Sequence, residues 1–383
     1  MTKKTAKLKR PSIPTKTQLR LWVVSAGRCQ FPGCNDFVLR DKTTLSEGNY
    51  ANIAHIISWT PTGPRGDAVL SPKLGKDISN LMLMCLTHGK MIDTKKNIPT
   101  YTVDFLRKCK EAHENRIKMQ TSIDASRKTT AVRLQTNIRG RLVAVSQPDV
   151  YTALVTAGRY PHDEKGIHVD LTNLHYSADK SSWETATKQI DATLASALTV
   201  GNDERKEDHF SVFGIAPIPV LAYLGFKLGN TTPADIYIKL REKPWSRTSS
   251  DPKLAFTLAR PKSKDKAKAV ALSIAISGTT SRSEIEKHLG KGIPVYEIKL
   301  KKSQIDQIEC IEDLESFRKL YRETIDEIRE LHGNKCKIHL FGAMPTCAAI
   351  ICGREIIHGV DPTIVMYEHL SQEEGFISVL TIN

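Results

Sequence analysis

The sequence predicts an α+β protein that consists of a small N-terminal domain followed by a larger α/β domain. Three observations lead to this prediction. Two pairs of cysteine and histidine residues in the first quarter of the chain have the spacing of a metal site. Short apolar strands alternate with helical patterns after residue 131, as is typical of α/β folds. The length of 383 residues exceeds one compact core and suits two or three domains.

The positive charge is concentrated in the N-terminal third of the chain. Residues 1–120 contain 21 lysines and arginines against 9 acidic residues, so they carry +12 of the formal net charge of +14. This asymmetry indicates that the small domain contacts a polyanion. No apolar run is long enough for a transmembrane helix, and the basic N-terminus lacks the apolar stretch of a secretory signal. We therefore expect a cytoplasmic protein with no membrane partner.

The residue pattern divides the chain into four segments. They are a basic arm over 1–14, a first domain over 15–119, a polar linker over 120–131 and a second domain over 132–383. In the first domain the pattern predicts helices over 15–26 and 102–119, strands over 50–57 and 80–84, and a helix that includes 90–95. In the second it predicts strands over 167–171, 209–213 and 270–277 and a helix over 183–198.

The first domain contains a predicted zinc site. Cys29 and Cys34 form a Cys-x4-Cys pair, and Cys85 and His88 form a Cys-x2-His pair. Four such ligands suit a tetrahedral structural Zn²⁺, which would stabilise a domain of short elements. The other cysteines share no spacing and are interpreted as buried free thiols: Cys109, Cys310, Cys336, Cys347 and Cys352.

Three further residues in this domain suggest chemistry on a phosphodiester. His55 ends an apolar run and could deprotonate a water molecule near neutral pH. Asn80 opens the next apolar run, and its amide could hold the loop or the imidazole in place. Asp93 follows His88 by five residues and could bind a divalent metal ion, Mg²⁺ or Mn²⁺, that polarises the phosphate.

These residues, taken in order, resemble the HNH endonuclease family. The pattern comprises Cys29, Cys34, Ala54-His55-Ile56, Asn80-Leu81, Cys85-x-x-His88 and Ile92-Asp93. The resemblance covers about residues 15–118 and implies a ββα-metal fold with His55 as general base, Asn80 as the middle motif residue and Asp93 as the last. Two positions depart from many members of the family. Ala54 replaces an acidic residue and Asp93 replaces His or Asn, so the ligands of the catalytic metal stay open.

The second domain contains an internal repeat. Phe213-Gly214-x-x-Pro217 and Phe341-Gly342-x-x-Pro345 lie 128 residues apart, and Gly225 and Gly353 keep the same offset. Each copy predicts a strand, a glycine-containing loop and a closely packed helix that begins near proline. Two such loops related by pseudo-symmetry would face each other, and their helix N-termini would suit a phosphate-bearing ligand.

Residues 132–383 resemble a SAVED domain, a fused pair of CARF-like, Rossmann-type units. The duplicated loops and Ser273-Ile274-Ala275-Ile276-Ser277-Gly278 carry this resemblance, and the pseudo-repeats are placed at about 132–290 and 291–383. The order of an HNH and a SAVED domain is similar to the effectors of cyclic-oligonucleotide-based antiphage signalling (CBASS). The resemblance implies an abortive-infection effector that degrades double-stranded DNA without sequence preference when a cyclic di- or trinucleotide binds. Because two strands must be cut, we expect a homo-oligomer, a dimer or a higher-order form on activation.

The predicted ligand contacts follow from residue chemistry. Trp245 lies in a loop-like stretch with Arg247 nearby and could stack on a purine. Ser277, Gly278, Thr279 and Thr280 form a polar loop after a strand and could bind phosphates. Pro217 and Pro345 mark the two repeated loops and complete the predicted ligand site.

Two other hypotheses remain open at this stage. One is a restriction-type HNH nuclease whose C-terminal domain reads modified or specific DNA, although residues 121–383 carry only +2. The other is a non-enzymatic zinc-finger DNA-binding regulator with a ligand-sensing domain. The second alternative would leave His55 without a role.

Overall fold

The computed structural model describes residues 12–138, 141–142, 144–200, 203–204, 208–263, 265–370 and 375–383. The chain divides into two compact units, Met1–Ile123 and Asp124–Asn383. Most of the predicted basic arm lies outside the described residues. In the described part of the chain, no helix combines the length and the apolar character that crossing a membrane requires.

The first unit is built on a β-hairpin with helices around it. Its elements are α1 (Thr15–Ser25), β1 (Ala51–His55), α2 (Leu70–Leu74), β2 (Leu81–Cys85), α3 (Leu86–Ile92) and α4 (Val103–Thr121). β1 and β2 pair antiparallel, with Ala51 opposite Cys85 and His55 opposite Leu81. β2 is apolar throughout, and its residues pack with Leu21 of α1 and Leu106 of α4 in one core. The hairpin therefore lies at the centre of this unit.

The first part of the second unit contains a mostly parallel sheet. The elements of this part are β3 (Lys128–Ile138), β4 (Arg141–Leu142), α5 (Gln147–Thr156), β5 (Tyr160–Pro161), β6 (Ile167–Leu171), α6 (Ser181–Leu198), β7 (Thr199–Val200), β8 (Asp203–Glu204), β9 (Phe210–Ile215), α7 (Ile218–Leu228) and β10 (Ala234–Ile236). The main strands of the sheet have the order β10-β9-β3-β6, and all three pairings are parallel.

A second sheet follows in the same unit. Its elements are β11 (Phe256–Ala259), β12 (Ala269–Ala275), α8 (Arg282–Leu289), β13 (Val295–Leu300), α9 (Ile311–His332), β14 (Lys337–Ala343), α10 (Thr346–Arg354), β15 (Thr363–His369) and β16 (Phe376–Ile382). The order is β11-β13-β12-β14-β15-β16, with parallel pairing from β13 to β15. The segment β15-β14-β12-β13 thus repeats the order β10-β9-β3-β6 of the first sheet.

The crossing of α7 and α10 follows the duplication of the sequence at the level of packing. A Cβ atom on Gly353 would overlap the carbonyl oxygen of Ala222, and a Cβ on Gly225 would overlap that of Ile350. Both contacts are related by the 128-residue offset of the sequence repeat. The second glycine of each repeat therefore permits direct backbone contact between the two helices, rather than the helix–sheet contact that the sequence predicts.

Aromatic clusters mark the same pseudo-symmetry. Phe213 of β9 stacks on Tyr237 at 4.1 Å and 22° and meets Trp245 edge-on at 5.3 Å. Phe341 of β14 stacks on Tyr367 at 4.2 Å and 22° and meets Phe376 of β16 edge-on at 5.2 Å. Offset-stacked and edge-on pairs stabilise a core beyond the area they bury.

Two predicted boundaries are wrong. The predicted linker over 120–131 contains the end of α4 and the first residues of β3, because Lys128–Ala131 already pair with the strands beside them. The predicted division of the repeats at 290 falls between α8 and β13, inside the second sheet. The sheets divide instead between β10 and β11, where the parallel order of the first sheet ends at an edge strand.

Replacement of Gly353 by alanine should destabilise the second unit by about 2–3 kcal/mol, because a methyl group has no space at the helix crossing. Urea denaturation followed through Trp183 and Trp245, both buried in this unit, measures the change. Gly278→Ala is the matched control, since its Cβ would lie 3.5 Å from the Cβ of Ala343, an ordinary contact. Equal midpoints for the two variants would contradict the close crossing.

Candidate functional site

The first unit brings the four predicted metal ligands together. The ligand atoms of Cys29, Cys34, Cys85 and His88 all lie within 4.8 Å of one another. The His88 Nδ1 atom is 3.1 Å from the Cys85 sulfur and 3.8 Å from the Cys29 sulfur. A tetrahedral zinc ion with its usual bond lengths separates such atoms by about 3.5–3.8 Å. The donor types and their proximity therefore suit a zinc ion.

Local structure explains how the four residues meet. The turn from Cys29 to Cys34 closes with a hydrogen bond from the Cys34 amide to the Phe31 carbonyl, and Gly33 takes a positive φ of 77°. Cys85 ends β2 and caps α3, whose first turn carries His88. The ring of Phe31 stacks on that of His88 at 4.2 Å and 7°, which fixes the imidazole plane.

Burial sets the protonation of Cys29, Cys34 and His88 when no metal ion is bound. It raises the pKa of the Cys29 and Cys34 thiols and lowers the pKa of His88. The thiols therefore keep their protons, and the imidazole stays neutral at pH 7. A zinc ion that binds here must displace thiol protons, so its affinity should fall in acid.

His55 lies at the end of β1 with 7% of its surface exposed. Its Nε2 atom is 3.0 Å from the carbonyl oxygen of Gly75. Because a carbonyl can only accept, Nε2 carries the proton and Nδ1 carries the lone pair in the neutral ring. The bond to Gly75 therefore holds the imidazole in one orientation.

Asn80 holds the chain next to His55. Its Oδ1 accepts a hydrogen bond from the Ile57 amide at 2.8 Å, and its Nδ2 donates to the Ile57 carbonyl at 2.8 Å. Nδ2 also lies 3.3 Å from the carbonyl of Leu74, the residue before the Gly75 that accepts from His55. With only 2% of its surface exposed, Asn80 links the chain that follows His55 to the segment that contains Gly75.

Asp93, the predicted metal ligand, pairs with a buried arginine that the sequence analysis did not single out. The Arg65 guanidinium lies 2.6 Å from the Asp93 carboxylate and donates to the carbonyls of Ile56 and Ile92 at 2.7 Å. Its side chain is 4% exposed, whereas that of Asp93 is 44% exposed. Arg65 thus ties the end of β1 to the end of α3. In the sequence, the tight loop Gly63-Pro64-Arg65-Gly66 was the feature that could have drawn attention to Arg65.

The surroundings of Asp93 limit how a catalytic metal ion could bind. Among the described residues, no cluster of three His, Cys, Asp or Glu side chains other than the Cys/His cluster could hold a metal ion. Asp93 contacts Arg65 through one carboxylate oxygen, Oδ1. A cation here would depend on water and substrate for most of its ligands. Mg²⁺ commonly binds in this way, with few protein ligands.

In the second unit, the predicted phosphate loops lie at one edge of the sheets. Ser277 follows β12, and its amide donates to the Ala343 carbonyl at the end of β14, 2.8 Å away. Pro217 and Pro345 cap the N-termini of α7 and α10. Ile218, the first residue of α7, lies 3.4 Å from the Cβ position of Gly342. The polar loop and both helix starts are therefore neighbours.

The members of the polar loop differ in exposure. Ser277 and Gly278 are half-buried, Thr279 is exposed and Thr280 is 6% exposed. The Thr280 Oγ1 atom is buried and has no hydrogen-bond partner among the described residues. A ligand phosphate in this loop could accept from it. Ligands of α/β sheets bind at this carboxyl edge of the strands.

Trp245 and Arg247 do not belong to this edge, and the prediction of an exposed stacking loop is wrong. Trp245 is 5% exposed because it packs against Phe213 in a core. The Arg247 Nη2 atom lies 2.8 Å from Asp235, which is aligned with Ser211 near the amino end of β9. Burial alone would raise the pKa of Asp235, but His209, Arg247 and Arg159 hold it at about 2. Arg247 therefore neutralises a buried carboxylate.

Comparison with protein families yields a match in the second unit. Residues 194–382 match the SAVED family, described as the "SMODS-associated and fused to various effectors sensor domain". The match runs from α6 to β16 and contains both Phe-Gly-x-x-Pro loops. These residues form a SAVED domain within a mixed α+β protein. A comparison with curated proteins finds no match.

Solved structures of SAVED/CARF-domain receptors show a distant likeness. Acinetobacter baumannii Cap4 with the cyclic trinucleotide 2'3'3'-cAAA is 12% identical, with a TM-score of 0.43 over 78% of this chain and 62% of that chain. Moraxella osloensis Cap4 is 10% identical, with a TM-score of 0.40 over 81% of this chain and 66% of that chain. The chain thus spans less than two thirds of the length of these receptors.

Purified protein should contain about one tightly held zinc ion per chain by elemental analysis, since the four donors complete one tetrahedral site. Cys85→Ser should unfold the first unit and lower the zinc content, because the ion contributes directly to folding. The control is Cys109→Ser, since Cys109 is a half-buried thiol of the same unit outside the cluster. This variant should keep a folded first unit and its zinc. Zinc-free wild-type protein with a folded first unit would rule out the site.

Proposed function

We propose that the chain is a DNA endonuclease that a cyclic oligonucleotide switches on, acting as an effector of CBASS antiphage defence. The observation that carries the proposal is the combination of two sites in one chain. A SAVED sensor domain occupies residues 194–382. The first unit contains His55, whose Nε2 atom lies 3.0 Å from the Gly75 carbonyl oxygen, and a Cys/His cluster whose donors suit a zinc ion.

His55 is proposed as the general base. Its Nδ1 atom accepts a proton from a water molecule, whose oxygen forms a bond to the scissile phosphorus. The bond from phosphorus to the leaving oxygen breaks, and that oxygen takes a proton from solvent. A divalent cation bound at Asp93 would stabilise the charge on the phosphate and the leaving oxygen. Asn80 and Arg65 keep the strand end that carries His55 in place.

The charge of the first unit supports DNA as the substrate. Residues 1–120 carry a net charge of +12, which suits contacts to a phosphate backbone. Phosphate contacts position a protein on the duplex without reading bases. We therefore propose cleavage of double-stranded DNA with little sequence preference.

The proposed activator site is the edge where Ser277–Thr280 meets the starts of α7 and α10. Two helix N-termini favour anionic groups, and a cyclic di- or trinucleotide presents phosphates around a ring. Because the two repeats contribute equivalent loops, one ligand at this edge contacts both. A ligand shifts the equilibrium between the resting and the active conformation only as far as it binds the active one more tightly.

His55→Ala should reduce DNA cleavage by about 10²–10⁴-fold, the contribution of a general base. Cleavage of plasmid DNA with Mg²⁺ or Mn²⁺ measures the loss, and unchanged zinc content and circular dichroism show that the variant folds. His162→Ala, an exposed histidine of the second unit, is the control. Wild-type cleavage by His55→Ala would remove this residue from the mechanism.

Cleavage products distinguish the proposal from a restriction-type nuclease. Genomic DNA should yield a continuous smear, and the rate should fall steeply between about 50 and 200 mM salt if phosphate contacts dominate binding. Gel electrophoresis of timed digests measures both. A discrete set of fragments would contradict nonspecific cleavage and favour the restriction alternative.

The full chain should be inactive until a cyclic nucleotide binds, since an unregulated nonspecific nuclease would degrade the genome of its host. The assay mixes protein, DNA and divalent metal with a panel of cyclic di- and trinucleotides, and follows DNA length together with particle mass. We expect one nucleotide class to trigger cleavage and assembly into a larger homo-oligomer. Strong cleavage without nucleotide would contradict the switch.

A further inference from the structure

A polar cavity lies in the second unit, away from the two Phe-Gly-x-x-Pro loops and from Ser277–Thr280. It has a volume of about 350 Å³ and is bounded by β10, the first turns of α9 and the C-terminal end of α10. Its apolar floor includes Ile236, Leu314 and Ile351. Arg247, Arg318 and Arg354 also line it, together with Glu315 and Glu355. Cavities of this size hold small-molecule ligands.

Arg354 is the unusual member of this lining. It is 7% exposed, so its guanidinium is almost fully removed from water. Its Nη2 atom donates to the Thr232 carbonyl at 2.9 Å. Its Nη1 atom is buried and has no hydrogen-bond partner among the described residues. Burial lowers the pKa of Arg354, and the nearby Glu355 carboxylate offsets this only in part. A buried cation that is incompletely compensated is costly unless something pairs with it.

The other two arginines of the cavity already have carboxylate partners. Arg247 pairs with Asp235 at 2.8 Å, and Arg318 pairs with Glu315 at 2.6 Å and with Glu355 at 3.5 Å. Within the described part of the chain, Arg354 has no carboxylate within 4.0 Å. Arg354 is therefore the arginine of the cavity whose charge is least compensated.

We propose that this cavity is an oxyanion-binding site in which the Arg354 guanidinium pairs with the phosphate or carboxylate group of a small molecule. The body of the molecule packs on the apolar floor, and Arg318 borders the entrance. Guanidinium groups are suited to such groups because their planar donors match two oxygens.

This cavity is separate from the proposed nucleotide site. Arg354 ends α10, whereas Pro345 begins it, so the two sites lie at opposite ends of the same helix. The α10 helix of nine residues is about 13 Å long at 1.5 Å per residue. The inference goes beyond the proposed nuclease function and does not rest on it, because its test measures binding alone.

Isothermal titration calorimetry on the full chain, in buffer free of phosphate and carboxylate, tests the site. The probes are inorganic phosphate, adenosine 5′-monophosphate and succinate, which separate free phosphate, a nucleotide and a dicarboxylate as sources of the oxyanion. We expect saturable binding of at least one probe with one site per chain. Arg354→Gln should weaken that binding at least tenfold, and Arg354→Lys should restore part of it.

Two further variants guard the interpretation. Arg318→Gln changes a 42% exposed side chain at the rim and should weaken binding about threefold without endangering the fold. His162→Ala, an exposed residue of the second unit that does not line the cavity, should leave the affinity unchanged. Absence of saturable binding for all three probes, equal affinity of Arg354→Gln and wild type, or loss of binding in His162→Ala would each overturn the proposal.

Discussion

The arrangement of the second unit depends on the contact between α7 and α10. A side chain on Gly225 or Gly353 would occupy the position of a carbonyl oxygen of the opposite helix, so the two backbones touch directly. Two residues separate each helix from the strand before it, β9 or β14. Contact between the helices therefore sets the two strand-end loops beside each other. A ligand that bridges both halves needs such a fixed pair of loops.

The first unit depends on a different principle, since it has a small core and one short hairpin. Its candidate catalytic residue is oriented from three directions: a carbonyl at Gly75, the amide of Asn80 and the guanidinium of Arg65. The Cys/His cluster joins the N-terminal turn to the end of β2 and the start of α3. These polar devices take over the positioning that a larger apolar core would provide.

Local pattern was sufficient where one element or one spacing decided the outcome. The helix over 15–26, both strands of the hairpin and the Cys/His cluster follow from periodicity and ligand spacing. The helix predicted around 90–95 ends earlier, since α3 spans Leu86–Ile92. Trp245 shows the limit of such local patterns, because its burial depends on Phe213 of β9, which lies 32 positions away in the sequence. The role of Arg65 likewise depends on bonds to β1 and α3, which loop composition does not reveal.

The proposed switch requires one cyclic nucleotide to contact both repeats where α7 and α10 begin. Hydrogen exchange of the full chain, with and without each nucleotide of the panel, measures this contact most directly. We expect the activating nucleotide to protect residues 216–219, 276–281 and 344–347 together, at a stoichiometry of one per chain. Protection confined to one repeat, or to segments away from these loops, would contradict it.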